Sequence, residues 1–175
     1  MKIFWFFPMF CFYGCTISLD GPEQPVKYVD LEKFMGKWYV IAFTPTFVDE
    51  GAENGIETYR LGEDGNIEIE YTFSIDGEFE SHLQTGIVQP DPSNAKWRLK
   101  YNWLLSFDYY LIVEIDPEYE YTVIGVPDRS YVWVMSREKK MDEKLLVEIL
   151  TRLKERGYDM ELSLIHISEP TRPLS

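Results

Sequence analysis

A chain of 175 residues with a formal charge of −13 is long enough for one domain with its own core. Its negative field repels polyanions, which argues against nucleic acid as a partner and disfavours contact with anionic lipid. The cysteines, Cys11 and Cys15, precede the body of the chain, so the folded region carries no disulfide or thiol chemistry, and a histidine count of 2 all but excludes a histidine metal site or a Ser-His-Asp triad. Aromatic residues make up 16% of the chain, so something large and apolar is built or bound here.

In chain order, residues 1–15 read as a signal segment. Lys2 is followed by an apolar run from Ile3 to Tyr13, too short to span a bilayer comfortably. The run ends in Phe12-Tyr13-Gly14-Cys15, a lipobox-like sequence in which cleavage before Cys15 exposes it for acylation. Residues 16–27 are polar and rich in breakers, and read as a tether.

Eight short segments then show largely period-two apolar patterning. They are Lys37–Phe43, Gly55–Leu61, Asn66–Phe73, Ser81–Gln89, Ala95–Trp103, Phe107–Asp116, Tyr119–Val126 and Tyr131–Arg137. The third alternates Ile67, Ile69, Tyr71 and Phe73 against Glu68, Glu70 and Thr72. The fifth alternates Trp97, Leu99, Tyr101 and Trp103 against Lys96, Arg98, Lys100 and Asn102, and the cations mark its solvent face, so Trp97, Leu99 and Tyr101 face inward. This pattern fits either a sandwich or a closed barrel. A helix follows over Asp142–Arg156, with Asp142 as N-cap, Gly157 as its stop, and Leu145, Leu146, Ile149, Leu150 and Leu153 as one apolar stripe. The domain is expected to span residues 28–162. Residues 163–175, SLIHISEPTRPLS, break from its acidic, aromatic style and read as a non-native tail, or else as a short native strand within Leu162–Ile167.

Two sites about a hundred residues apart carry a family resemblance. Gly36-Lys37-Trp38-Tyr39 opens the first strand, and Tyr131-Val132-Trp133-Val134-Met135-Ser136-Arg137 closes the last, with the turn Asp116-Pro117-Glu118-Tyr119 between them. In that order, with the helix behind them, these motifs resemble the bacterial outer-membrane lipocalins and, more distantly, apolipoprotein D. The resemblance covers roughly Val26 to Asp159. It implies an all-β fold, an eight-stranded antiparallel up-and-down barrel with one C-terminal helix packed outside. It implies that Gly36, Trp38, Asp116 and Arg137 are a structural signature, with the Arg137 guanidinium stacked on the Trp38 indole across a closed floor. It places a ligand-binding lining on Tyr59, Ile69, Tyr71, Val88, Tyr110, Ile112, Tyr131, Trp133 and Met135, to which the alternation of the fifth strand adds Trp97, Leu99 and Tyr101. The lack of cysteines in the domain favours the bacterial branch, and Thr16 after Cys15 implies export to the outer membrane.

Two acids, Glu57 and Glu114, fall at inward parity. Each is turned out by a bulge or hydrogen-bonded to an interior tyrosine such as Tyr59 or Tyr110, or the two form a polar pocket end or a carboxylate pair for acid–base work. The expected function is binding of a fatty acid or lysophospholipid in the barrel of a protein anchored to the outer membrane through Cys15. No enzyme activity, cofactor or metal is expected, and a homodimer is left open. The alternatives are a structural envelope lipoprotein with a filled barrel, and an enzyme using Glu57 and Glu114.

Overall fold

The computed structural model describes residues 21–46, 49–101, 106–159 and 163–164. The signal segment, Cys15 and most of the tail lie outside the described residues. The elements run α1 (Leu31–Phe34), β1 (Gly36–Phe43), β2 (Glu53–Leu61), β3 (Ile67–Ile75), β4 (Glu78–Val88), β5 (Lys96–Lys100), β6 (Ser106–Ile115), β7 (Tyr121–Gly125), β8 (Val132–Ser136), α2 (Glu143–Glu155) and β9 (Ser163–Leu164). Neighbouring strands pair antiparallel, and the β2–β1 pairing closes β1 to β8 into a barrel. All eight expected strands and the helix are present.

Alternation sends one face of each strand inward. Ile67, Ile69, Tyr71 and Phe73 of β3 are buried inside the barrel, as are Trp97 and Leu99 of β5. Register shifts alter the parity where the pattern reads ambiguously. One between Val40 and Ala42 puts both Val40 and Phe43 inside, while Ile41 and Ala42 face out. Another between Ile112 and Glu114 keeps Tyr110 and Ile112 inside but turns Glu114 out. β1 pairs with β2 only as far as Tyr39. Beyond that point, Ser163 and Leu164 of β9 pair with Phe43 and Ala42 and cover the exposed edge. The sheet therefore continues past the boundary expected at residue 162.

The helix α2 begins where the Asp142 carboxylate accepts from the Leu145 N–H at 3.0 Å. Its buried Leu146, Ile149 and Leu153 pack on an outer-wall patch that includes Ile41, Leu111, Val113 and Val134. After Gly157 (φ +86°), Tyr158 lies against Gly125, where any side chain would collide with the phenol. Residues 21–27 are no free tether. Glu23 is buried and takes ion pairs from Arg129 at 3.3 Å and Arg156 at 2.7 Å, and the Val26 N–H donates to the Ile112 carbonyl. The segment is strapped to the barrel by charges at positions 129 and 156. Among the described residues, no helix is long and apolar enough to cross a membrane.

The floor is closed by α1, a turn the sequence did not announce. Asp30 caps it by accepting from the Glu32 and Lys33 N–H groups, and Phe34 packs upward into the core, its ring 5.2 Å from both Trp38 and Tyr59. The Trp38 indole donates to the Phe34 carbonyl at 2.8 Å. Arg137 lies over that indole at 3.7 Å. Its guanidinium donates to five carbonyls, those of Lys33, Phe34, Met35, Lys37 and Tyr119. Gly36 has φ +98°, and a Cβ there would stand 3.4 Å from the Arg137 Nη1. Asp116 shapes the β6–β7 turn by accepting from the Glu118 and Glu120 N–H groups, and the Tyr119 hydroxyl of that turn accepts from the Asp30 N–H at 2.8 Å.

Arg137→Ala removes the cation–π contact and the five guanidinium hydrogen bonds. A desolvated cation–π pair contributes about 2 kcal/mol, and hydrogen bonds to a charged group add to that. The expected loss is about 3 kcal/mol, or roughly 10 °C in Tm for a domain of this size. Thermal and urea denaturation check it, and an unchanged midpoint contradicts the role given to the floor.

Candidate functional site

The lower barrel is solid. Phe34, Tyr59, Trp97 and Tyr110 interlock, with Trp97 stacked on Tyr110 at 5.5 Å and set edge-on to Phe34 at 5.5 Å. The Trp97 indole N–H donates downward to the Asn94 carbonyl at 2.7 Å. Gly86 makes room for this packing, since a Cβ there would meet the Trp97 ring at 3.1 Å.

Above this plug lies a cavity of about 40 Å³ lined by Thr46, Asp49, Glu57, Tyr71, His82, Gln84, Leu99, Tyr101, Tyr110 and Trp133. One water needs roughly 10–15 Å³ on the same measure, so the space takes only a few water-sized groups. Of the expected lining, Tyr71, Leu99, Tyr101, Tyr110 and Trp133 meet here. Tyr59, Ile69, Trp97, Ile112 and Met135 instead pack in the core without lining the cavity, and Val88 is partly buried against it. Bulky rings at consecutive inward positions fill the tapered floor before any space remains. Tyr131 lies ahead of β8, is 37% exposed, and stacks on Trp133 at 6.1 Å.

Glu57 is the central polar group. It is buried, and the hydroxyls of Tyr59 and Tyr110 both hydrogen-bond to its Oε2 and contact each other. Burial pushes its pKa up to about 7, opposed by the Tyr110 hydrogen bond and reinforced by the nearby Asp49. Asp49 is also buried, and it accepts from the Thr46 N–H at 2.7 Å and the Thr46 hydroxyl at 2.6 Å. Burial raises its pKa too. The Tyr71 hydroxyl is buried beside Asp49 without a well-formed hydrogen bond, and burial together with that carboxylate pushes its pKa up.

Glu114 is not part of this site. The register shift in β6 turns it outward, where it accepts from Arg152 at 2.8 Å and pairs with Arg156 at 3.3 Å. Of the alternatives raised for these acids, the bulge holds for Glu114 and the tyrosine hydrogen bond for Glu57, and the carboxylate pair is not built; Glu114 fastens α2 to the wall. Among the described residues, no group of His, Cys, Asp and Glu stands ready to hold a metal.

Sequence reasoning missed Thr46, Asp49, His82 and Gln84 as lining. For two of them a signal was present: stepping back in twos from Val88 along β4 gives Gly86, Gln84 and His82, all at inward parity. Their polarity hid them from an apolar search. Asp49 and Thr46 come from the β1–β2 loop, where no periodicity operates.

A closed antiparallel barrel, sealed at one end and holding a small cavity above the seal, defines a class of proteins that enclose small molecules. The family model described as a Lipocalin-like domain matches residues 29–168, and the chain belongs to the lipocalin family, whose members bind small hydrophobic ligands. It is 30% identical to temperature-induced lipocalin-1 of Arabidopsis thaliana over 149 residues, covering 78% of each chain. It is 26% identical to the outer membrane lipoprotein Blc of Vibrio cholerae, covering 89% of this chain and 95% of the relative. Its fold is similar to that of insecticyanin from the tobacco hornworm Manduca sexta, with a TM-score of 0.67, 16% identity, and coverage of 84% of this chain and 85% of that one.

Glu57 carries a pH dependence. Its folded pKa of about 7 stands above the ordinary 4.5, so between these values the folded state binds the extra proton. Its contribution to stability is full below pH 4.5 and is lost as pH rises through about 7. At roughly 1.4 kcal/mol per pKa unit, the effect is on the order of 3 kcal/mol. Glu57→Gln keeps the shape and cannot ionise. Urea unfolding from pH 4 to about pH 8 is expected to show the parent losing stability relative to this variant by that amount. A constant difference across the range contradicts a buried, titrating Glu57.

Proposed function

We propose that this lipocalin binds one lipid-like amphiphile, with its head at the Glu57 end of the cavity and its tail running past Leu99 and Trp133 toward the mouth. A fatty acid and a lysophospholipid are the candidates raised by the resemblance. The observation that supports the reading most is the division of the lining, with Asp49, Glu57 and Gln84 as polar groups and Leu99 and Trp133 as apolar ones. The mechanism is burial without chemistry. Each methylene removed from water contributes about 0.8 kcal/mol. Ordering and association costs offset much of the sum, leaving about micromolar affinity, near −8 kcal/mol. The present space holds a head group but no long chain, so the tail displaces rings at the mouth, where Tyr131 and Trp133 stack.

The small volume favours a second reading, a structural lipoprotein with a filled barrel. Titration separates the two. A guest beside Trp133 changes tryptophan emission saturably, with one site per barrel, and Leu99→Phe, which fills the cavity with a ring, weakens the guest at least tenfold. If no long-chain fatty acid, alcohol or lysophospholipid gives a saturable change, the filled barrel takes the place of the carrier.

We infer further that Cys15 is acylated and holds the domain at the outer membrane. Phe12-Tyr13-Gly14-Cys15 supports this, as does the likeness to a relative named as an outer membrane lipoprotein. In a Gram-negative host the parent is expected to take up labelled palmitate and Cys15→Ser to lose the label; label surviving on the variant refutes the anchor.

A further inference from the structure

Resting on the reading that the barrel binds an amphiphile, we propose that the head-group end of this cavity is built for a primary ammonium rather than a carboxylate, a phosphate or a quaternary ammonium. Glu57 and Asp49 are 6% and 4% exposed and line the same small cavity. No Lys or Arg stands among its lining residues. His82, the one imidazole there, has its Nε2 3.9 Å from Glu80, a further carboxylate. An anionic head therefore enters a space with acids on its walls and, among the described residues, no fixed cation, whereas an ammonium meets carboxyl groups that can ionise to pair with it.

The hydrogen-bond inventory points the same way. Both tyrosine contacts to Glu57 fall on the same oxygen, Oε2. The Tyr71 hydroxyl, on a residue 5% exposed, is buried at the cavity wall beside Asp49 without a well-formed hydrogen bond. An ammonium carries three donors and no acceptor, which suits a site whose polar groups are carboxyl and hydroxyl oxygens. The rings of Tyr71, Tyr110 and Trp133 add π-faces that favour a cation. Size gives the last discrimination. A cavity of about 40 Å³, room for a few water-sized groups, suits a bare ammonium better than a bulkier trimethylated nitrogen or phosphodiester. The chain's net charge of −13 raises the local concentration of cations and speeds their encounter.

The test compares four heads on one tail. Dodecylamine, dodecanol, dodecanoate and dodecyltrimethylammonium are titrated below micelle formation at pH 7 and physiological salt, with calorimetry and tryptophan emission as readouts. Dodecylamine is expected to bind at least tenfold tighter than dodecanol, dodecyltrimethylammonium no tighter than dodecanol, and dodecanoate weaker than both. Glu57→Gln is expected to reduce the amine's advantage over dodecanol from at least tenfold to less than about threefold. Tyr71→Phe, which removes only that hydroxyl, is expected to weaken the amine several-fold. Dodecanol binding as tightly as the amine overturns the head-group assignment and leaves the carrier reading standing. An amine advantage that persists in both variants belongs to the acidic surface and also overturns the assignment. Absence of binding by all four overturns the carrier reading and this inference together.

Discussion

Arg137 holds the closed end of the barrel together, and the position of everything above follows from it. One guanidinium lies on the Trp38 indole at 3.7 Å and gathers carbonyls from α1, from β1 and from the β6–β7 turn. These belong to segments far apart in the chain, so a single side chain at the end of β8 fixes where the first strand starts and how the plug Phe34 enters the barrel. The close approach requires Gly36 at positive φ. With the floor pinned, the rings of Phe34, Tyr59 and Trp97 pack edge to face into a solid base, and the cavity beside Glu57 lies higher in the barrel.

That remaining volume has an unusual chemistry for an apolar container. Burying a carboxylate is costly unless it is hydrogen-bonded or protonated, and Glu57 uses both routes, with two tyrosine hydroxyls and a raised pKa. The barrel therefore keeps an ionisable group poised near neutrality above a dry aromatic plug. The other inward-reading acid, Glu114, shows the opposite solution. A register shift turns it out to Arg152 and Arg156, where it helps clamp α2 and the segment around Glu23. The same residue type serves the site in one strand and the scaffold in another, and the strand irregularity decides which.

The barrel's architecture was legible because period-two patterning and charged outer faces are local signals, and the Gly36, Trp38 and Arg137 motifs tied the first strand to the last. The helix cap at Asp142 and the inward face of β5 follow from the same local rules. The cavity was less legible for two reasons. Alternation tells inside from outside but not which inside residues touch empty space, so Trp97, Ile112 and Met135 read as lining although the taper of the barrel buries them in solid core. The polar lining carries no apolar signature, so His82 and Gln84 were passed over on β4, and Asp49 comes from a loop. The strap around Glu23 depends on long-range ion pairs that no window of sequence contains, and the four residues of α1 are too few to show a helical period, although its Asp30 cap is local.

The central claim is that a guest enters the cavity beside Glu57. Carbon-13 NMR titration of the Glu57 side-chain carboxyl, assigned by its loss in Glu57→Gln, tests this most directly. The account predicts a midpoint near 7 in the free protein, moved upward when dodecanol displaces water from the cavity and downward when dodecylamine places its charge there. A midpoint near the ordinary 4.5, or one that no amphiphile moves, would contradict it.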